Sequence, residues 1–276
     1  MAFIEFIDYI SEAKTQIITL LLEHIQLTAM AVGLAILIGV PLGILISYVK
    51  KLDRPVLGVA NVVQAIPSMA LLGFAIPFLG IGATPAIVMV VLYSLLPIIK
   101  NTYTGIQNIN PQMIEAAHGI GLTEFQILTK VQIPLALPVI MAGVRISSVT
   151  AVGLMTMAAF IGGGGLGFLV FSGIRTVNNY QILAGAIPAC LLALTVDFLC
   201  GVVEKLVTPV SLQPAAKSIQ EAKKNRSRQK LIIATAVVCV AAIFVTTFFG
   251  AAPSAQKSIV VGSKDFTGQQ ILCHLT

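Results

Sequence analysis

Arg145 and Asp197 are the two clear charges that fall inside otherwise apolar runs of this 276-residue sequence. A charge in that setting has to pair, reach water or line a wet cavity. Three roles are open. The two can form an ion pair tying their runs together, or they can cap and snorkel separately toward a membrane face. Alternatively, Arg145 can present a fixed positive charge that disfavours a purely cationic solute and suits a zwitterion's carboxylate. Depth permits pairing, since Arg145 lies roughly 15 Å along its run from position 135 and Asp197 roughly 9 Å from the end of its run at 203. Catalytic sets do not emerge elsewhere. No Ser, His and Asp combination suggests hydrolysis, and His24, His118 and His274 are too scattered for a metal site, so solvated or locally bonded roles are expected. Gly162, Gly164 and Gly167 satisfy GxGxxG formally, but they follow an apolar run with no βαβ unit around them. Gly162, Gly163, Gly164 and Gly165 read instead as a flexible gating hinge or as a plain turn, and both readings stay open. No GxxxxGK followed by Ser or Thr is present, so no nucleotide-binding loop and no cofactor is expected in this chain.

The elements that must position these residues are membrane helices. The chain is 57% hydrophobic and 10% charged, with a mean hydropathy of +0.96, whereas soluble domains sit near about a quarter charged. Too few charges are present to cover a water-facing exterior. The net charge of +6 would hint at nucleic acid if spread over a folded surface, but the basic residues cluster at the ends of apolar runs, so no nucleic-acid partner is expected. Cys190, Cys200 and Cys239 lie within apolar stretches, which argues against a disulfide framework. The start, MAFIEFIDYISEAK, lacks a basic n-region and cleavage site, and Phe3, Phe6, Ile7 and Ile10 mark one face of an amphipathic helix over residues 1–19.

About 20 apolar residues cross a hydrocarbon core of roughly 30 Å. Runs of that kind occupy residues 27–49, 56–79, 85–99, 135–161, 182–203 and 231–250. Lys50, Lys51, Arg54, Lys100, Lys130 and Lys205 join the basic segment 207–230 on one side, and the positive-inside bias makes that side cytoplasmic. The N-terminus is then external, and the sixth run delivers residues 251–276 to the outside of the plasma membrane. Segment 223–230 followed by 231–250 also has the look of an internal signal peptide, but its apolar run exceeds the usual h-region of about 7–15 residues, so retention as an anchor is expected.

Between the third and fourth runs lies a long polar loop containing EAAHGIGLTEFQILTKVQIP. Glu115, Ala116 and Ala117 favour a short helix, Gly121 breaks it, and a second helix can resume with Phe125 and Leu128 on one face. Alone, the triplet fits an amphipathic helix lying on the membrane. The full spacing, with Gly121, Val131, Ile133 and Pro134 in register, resembles the EAA loop of binding-protein-dependent ABC importer permeases. The resemblance covers about residues 20–206 and implies an all-α type I importer permease core of five transmembrane helices, here with one additional C-terminal helix. It further implies an ABC ATPase subunit that receives the loop and binds the ATP and Mg²⁺, a second permease copy forming a homodimer, and an external substrate-binding domain.

VVQAIPSMALLGF, AGVRISSV and AAFIGGGGLG look like the osmoprotectant group of these permeases, whose substrates are glycine betaine, choline, carnitine or ergothioneine. SIVVGSKDFTGQQIL resembles the first strand and turn of that group's substrate-binding protein, with Gly268 where an acidic residue is usual. A whole binding domain would need about two hundred more residues, so a truncated or frameshifted permease–receptor fusion is expected, with 251–276 as an external stub. Two competing readings remain: the same architecture serving another solute such as methionine, and an ion-driven secondary transporter, which should display inverted repeats.

Overall fold

A computed structural model describes residues 2–207. The remainder of the basic linker 207–230, the sixth run 231–250 and the stub 251–276 lie outside the described residues. The helices are α1 (Ala2–Tyr48), α2 (Lys50–Ala65), α3 (Ser68–Leu79), α4 (Ala83–Gln107), α5 (Pro111–Gly119), α6 (Glu124–Ile127), α7 (Ile133–Met155), α8 (Gly167–Thr176) and α9 (Asn179–Val207). A π turn at Leu128–Gln132 joins α6 to α7, and a 3₁₀ stretch at Thr156–Ile161 follows α7. No strand occurs among the described residues. Among the described residues, four helical stretches are long and apolar enough to cross a membrane, and α2 with α3, bent by 100°, makes a fifth if it counts as one span.

The centre of the molecule is a layer of α1, α4 and α7. Leu27 and Ala31 of α1, Met89 and Val90 of α4, and Ala151 and Met155 of α7 share one buried cluster, and Ala35, Ile98 and Val144 continue it. Lipid is as apolar as a leucine side chain, so membrane helices gain their association from close contact of small residues. Gly39 and Gly43, four apart on α1, supply that contact: a Cβ at Gly43 would stand 2.6 Å from Thr102 Cβ and 2.9 Å from the Ile99 carbonyl of α4. Gly143 of α7 meets Asn101 and the Pro97 carbonyl in the same way.

The helix boundaries depart from the apolar runs in four places. Residues 1–19 are not a separate segment: from Ala2 they continue straight into the first span. No Gly or Pro interrupts the first 32 residues, and the Tyr180 hydroxyl of α9 donates to Glu5 Oε2 at 2.6 Å. The run 85–99 extends to Gln107, past Lys100, because Thr102, Gly105 and Ile106 are buried against neighbouring helices. The run 56–79 is broken at Ile66. Pro67 pushes the preceding residue to extended backbone (φ −70°, ψ 131°), and the Tyr93 hydroxyl takes up the Ile66 carbonyl. Finally, α8 forms a short helix after the glycine-rich stretch, its inner face fixed by buried Leu169 and Gly173.

Candidate functional site

At one end of the bundle, where α1 ends and α7 begins, residues 108–132 form a compact projection. Pro111 starts α5 where a missing N–H costs nothing, and Gln112 N–H donates to Asn110 Oδ1 at 2.9 Å. Glu115 and Ala116 lie exposed on α5, whereas Ala117 turns inward and is buried. The helix ends at Gly119, and Gly121 adopts φ +83°, a conformation open to glycine at no steric cost. The bend is closed by Gly121 N–H to the His118 carbonyl (2.9 Å) and Leu122 N–H to the Ala117 carbonyl (3.2 Å). Thr123 and Gln126 then form a reciprocal capping box that starts α6. His118 and Glu124 face each other across the bend at 3.6 Å.

Downstream, the backbone ladder resets because Pro134 has no N–H to offer. Ile133 N–H reaches back five residues to the Leu128 carbonyl, which makes the π turn, and Val131 and Ile133 sit half-buried on either side of buried Gln132. The Tyr48 hydroxyl at the end of α1 donates to Gln132 Oε1. From Glu124 to Ile161 the helix is continuous over 38 residues, so the projection is joined directly to the transmembrane rod α7.

Phe125 and Leu128, three apart on one helical ladder, differ in burial. Phe125 points outward, 73% exposed, while Leu128 is half-buried. The side chain that seats α6 is Ile127, 1% exposed. Ile127, Gln132 and Tyr48 were not singled out in sequence, although Thr123 with Gln126 is a capping signature that places the start of α6. Ile120, 78% exposed, joins Phe125 on the outer surface, with Glu115 and Ala116 on the neighbouring helix. A rigid projection with apolar side chains turned out of the bundle is suited to seating in a groove of another protein.

Arg145 of α7 and Asp197 of α9 are brought together. Arg145 Nε donates to Asp197 Oδ1 at 2.6 Å and Nη2 to Oδ2 at 2.7 Å, a bidentate pair. Glu204, two turns beyond Asp197 on the same helix face, approaches Arg145 Nη1 at 3.7 Å. Its spacing from Asp197 was the available sequence signal. The two side chains are 39% and 42% exposed on a single copy.

Gly162 to Gly165 form a turn between the 3₁₀ stretch and α8, with φ of +69° at Gly162, +80° at Gly164 and +76° at Gly165. They lie at the end of the bundle opposite the projection. His24 is wholly buried beside this turn, and no three His, Cys, Asp or Glu side chains converge as a metal site among the described residues.

Residues 35–209 match the family model described as binding-protein-dependent transport system inner membrane component. The chain is 46% identical over 191 residues to the glycine betaine/carnitine/choline transport system permease protein OpuCB of Bacillus subtilis, covering 69% of this chain and 88% of that one. It is 45% identical over 212 residues to the osmoprotectant import permease protein OsmW of Salmonella typhimurium, covering 75% and 99%. Among solved structures, an inward-facing conformation of the MetNI methionine ABC transporter superposes with a TM-score of 0.62 at 28% identity, over 68% of this chain and 94% of that one. Together with a described architecture made of helices and an EAA-spaced projection continuous with a membrane rod, these matches place the chain in the binding-protein-dependent transport system inner membrane component family, as a type I ABC importer permease.

Proposed function

We propose that this permease forms the translocation path for a quaternary ammonium compound (glycine betaine, choline, carnitine or ergothioneine) and is driven by a separate ATPase subunit that binds the ATP and Mg²⁺. The observation that carries the coupling role is the projection at residues 108–132, whose outward Glu115, Ala116, Ile120 and Phe125 sit on a base anchored by Ile127. When two ATPase subunits close on ATP, two such projections, one from each permease copy, move with them, and the attached α7 rods alternate access. An external receptor delivers the solute; in this reading the chain performs no covalent chemistry. The substrate class rests on relatives that are above 40% identical and are named for glycine betaine, carnitine and choline, against 28% for the methionine transporter. Competition measures it: labelled choline or glycine betaine taken up through the assembled transporter should be displaced by unlabelled quaternary ammonium compounds and not by methionine. Displacement by methionine alone would assign the other solute.

In the same reading, the multi-pass chain sits in the plasma membrane with its N-terminus external and the projection cytoplasmic, because Lys50, Lys51, Arg54 and Lys130 lie at that end. In a background with native cysteines replaced by serine, Ile81→Cys should react with an impermeant thiol reagent on intact cells. Phe125→Cys should react only after permeabilisation. Both positions are exposed, at 77% and 73%, so access to the reagent decides the result. The reverse labelling pattern would invert the topology.

A further inference from the structure

At the end of the bundle away from the projection, adjacent side chains on α1 hold the tetraglycine turn. Glu23 Oε2 accepts from Gly165 N–H at 2.9 Å. His24 Nδ1 accepts from Leu166 N–H at 3.3 Å, and Nε2 faces the Val152 carbonyl of α7 at 3.0 Å. A backbone N–H only donates and a carbonyl only accepts, so both partners are satisfied together by the neutral ring with its proton on Nε2. The Val152 carbonyl is available because Thr156 N–H turns to Gly153 where the helix tightens to 3₁₀. Glycine is required in the turn for a second reason besides its positive φ. A Cβ at Gly164 would overlap the Glu23 carboxylate, and one at Gly165 would stand 2.9 Å from His24 Nδ1.

These contacts close a mechanical circuit. The Tyr48 hydroxyl binds α1 to Gln132 at the base of the projection, and His24 binds it again to Val152, about 36 Å further along α1 by helical rise. Helix α1 is therefore fastened, at its C-terminal end and near its middle, to the two ends of the α7 rod, and the turn hangs from the far fastening. Displacing the projection would move the rod, and the rod shares His24 with the turn.

We propose that Glu23 and His24 are positioning residues that clasp the tetraglycine turn to the α1–α7 unit, so that opening at this end stays tied to movement of the projection at the other. The proposal rests on the transport reading above. With the clasp removed, the turn moves independently of the rod, and ATP is hydrolysed without productive transfer.

The test uses the complete transporter with its ATPase and receptor in proteoliposomes, recording ATP hydrolysis with and without receptor and solute moved per ATP. Glu23→Ala is expected to raise receptor-independent hydrolysis severalfold and to lower solute moved per ATP by about tenfold. Glu23→Gln keeps an oxygen that accepts from Gly165 N–H and should stay within about twofold of wild type, which a role through charge alone would not allow. Glu23→Asp keeps the charge but withdraws the acceptor by one methylene; it should fall between the two, and it serves as the deciding variant if the alanine protein does not assemble. Wild-type coupling ratios in the folded Ala and Asp variants would overturn the clasp alone. A wild-type assembly whose hydrolysis ignores the receptor would overturn the transport reading and the clasp with it.

Discussion

Gly121→Val should cut ATP-driven uptake by about 5–30-fold while leaving the permease folded in the membrane. No atom lies within 4 Å of where a Cβ at Gly121 would stand, so steric crowding by neighbours is not the cause. The cause is the backbone. At φ +83° a β-branched residue meets its own carbonyl, at a cost of about 1–2 kcal/mol. That disfavours the bend by a factor of about 5–30. With the bend go the contacts of Gly121 with His118 and Leu122 with Ala117, and the angle between α5 and α6 is no longer set. The buried layer of α1, α4 and α7 is remote from this change, so yield and membrane insertion should hold. Gly121→Asn, a residue that tolerates left-handed backbone, should retain more uptake than the valine variant. Uptake and receptor-stimulated hydrolysis in reconstituted protein measure both variants. Wild-type values for Gly121→Val would remove the bend from the coupling mechanism.

Reversing either charge of the Arg145–Asp197 pair should lower folded permease in the membrane by more than about tenfold, and reversing both should recover much of it. In either single variant two like charges face each other within a span, where each needs a partner or water. The double reversal Arg145→Asp with Asp197→Arg restores opposite charges, although recovery should stop short of complete because the new carboxylate at position 145 lies near Glu204. The pair is two-fifths exposed on one copy, and lipid is a poor neighbour for it, which makes this surface suited to a second copy or to a water-filled path. Monodisperse protein recovered in detergent gives the comparison. Two independent losses that simply add would show that the pair does not act as a unit.

The long apolar runs and the basic residues at their ends made the membrane helices legible, since both follow from the cost of placing polar groups in hydrocarbon. Where runs failed as boundaries, neighbours were the reason. Lys100 looked like an end, yet Thr102 and Gly105 beyond it are small enough to bury against adjacent helices. Pro67 was visible in the sequence, but a proline inside a membrane span is often tolerated, and the bend it causes here depends on Tyr93 from α4 taking up the freed carbonyl. The depths of Arg145 and Asp197 estimated from the runs differ by about 6 Å. Counted from Ile133 at the start of α7 and from Val207, the last described residue of α9, the difference is about 3 Å. His24 carries no periodic or spacing signal at all, because its partners at Val152 and Leu166 are backbone groups more than a hundred residues away.

In the proposed mechanism, ATP hydrolysed on a partner subunit drives solute through this chain by way of residues 108–132. Proteoliposomes containing the permease, its ATPase and its receptor test it with one measurement, uptake of labelled glycine betaine or choline with ATP supplied at the face bearing the projection, before and after ion gradients are collapsed. Uptake is expected to require ATP and to survive collapse of the gradients. Uptake that proceeds without ATP and disappears when the gradients collapse would contradict it.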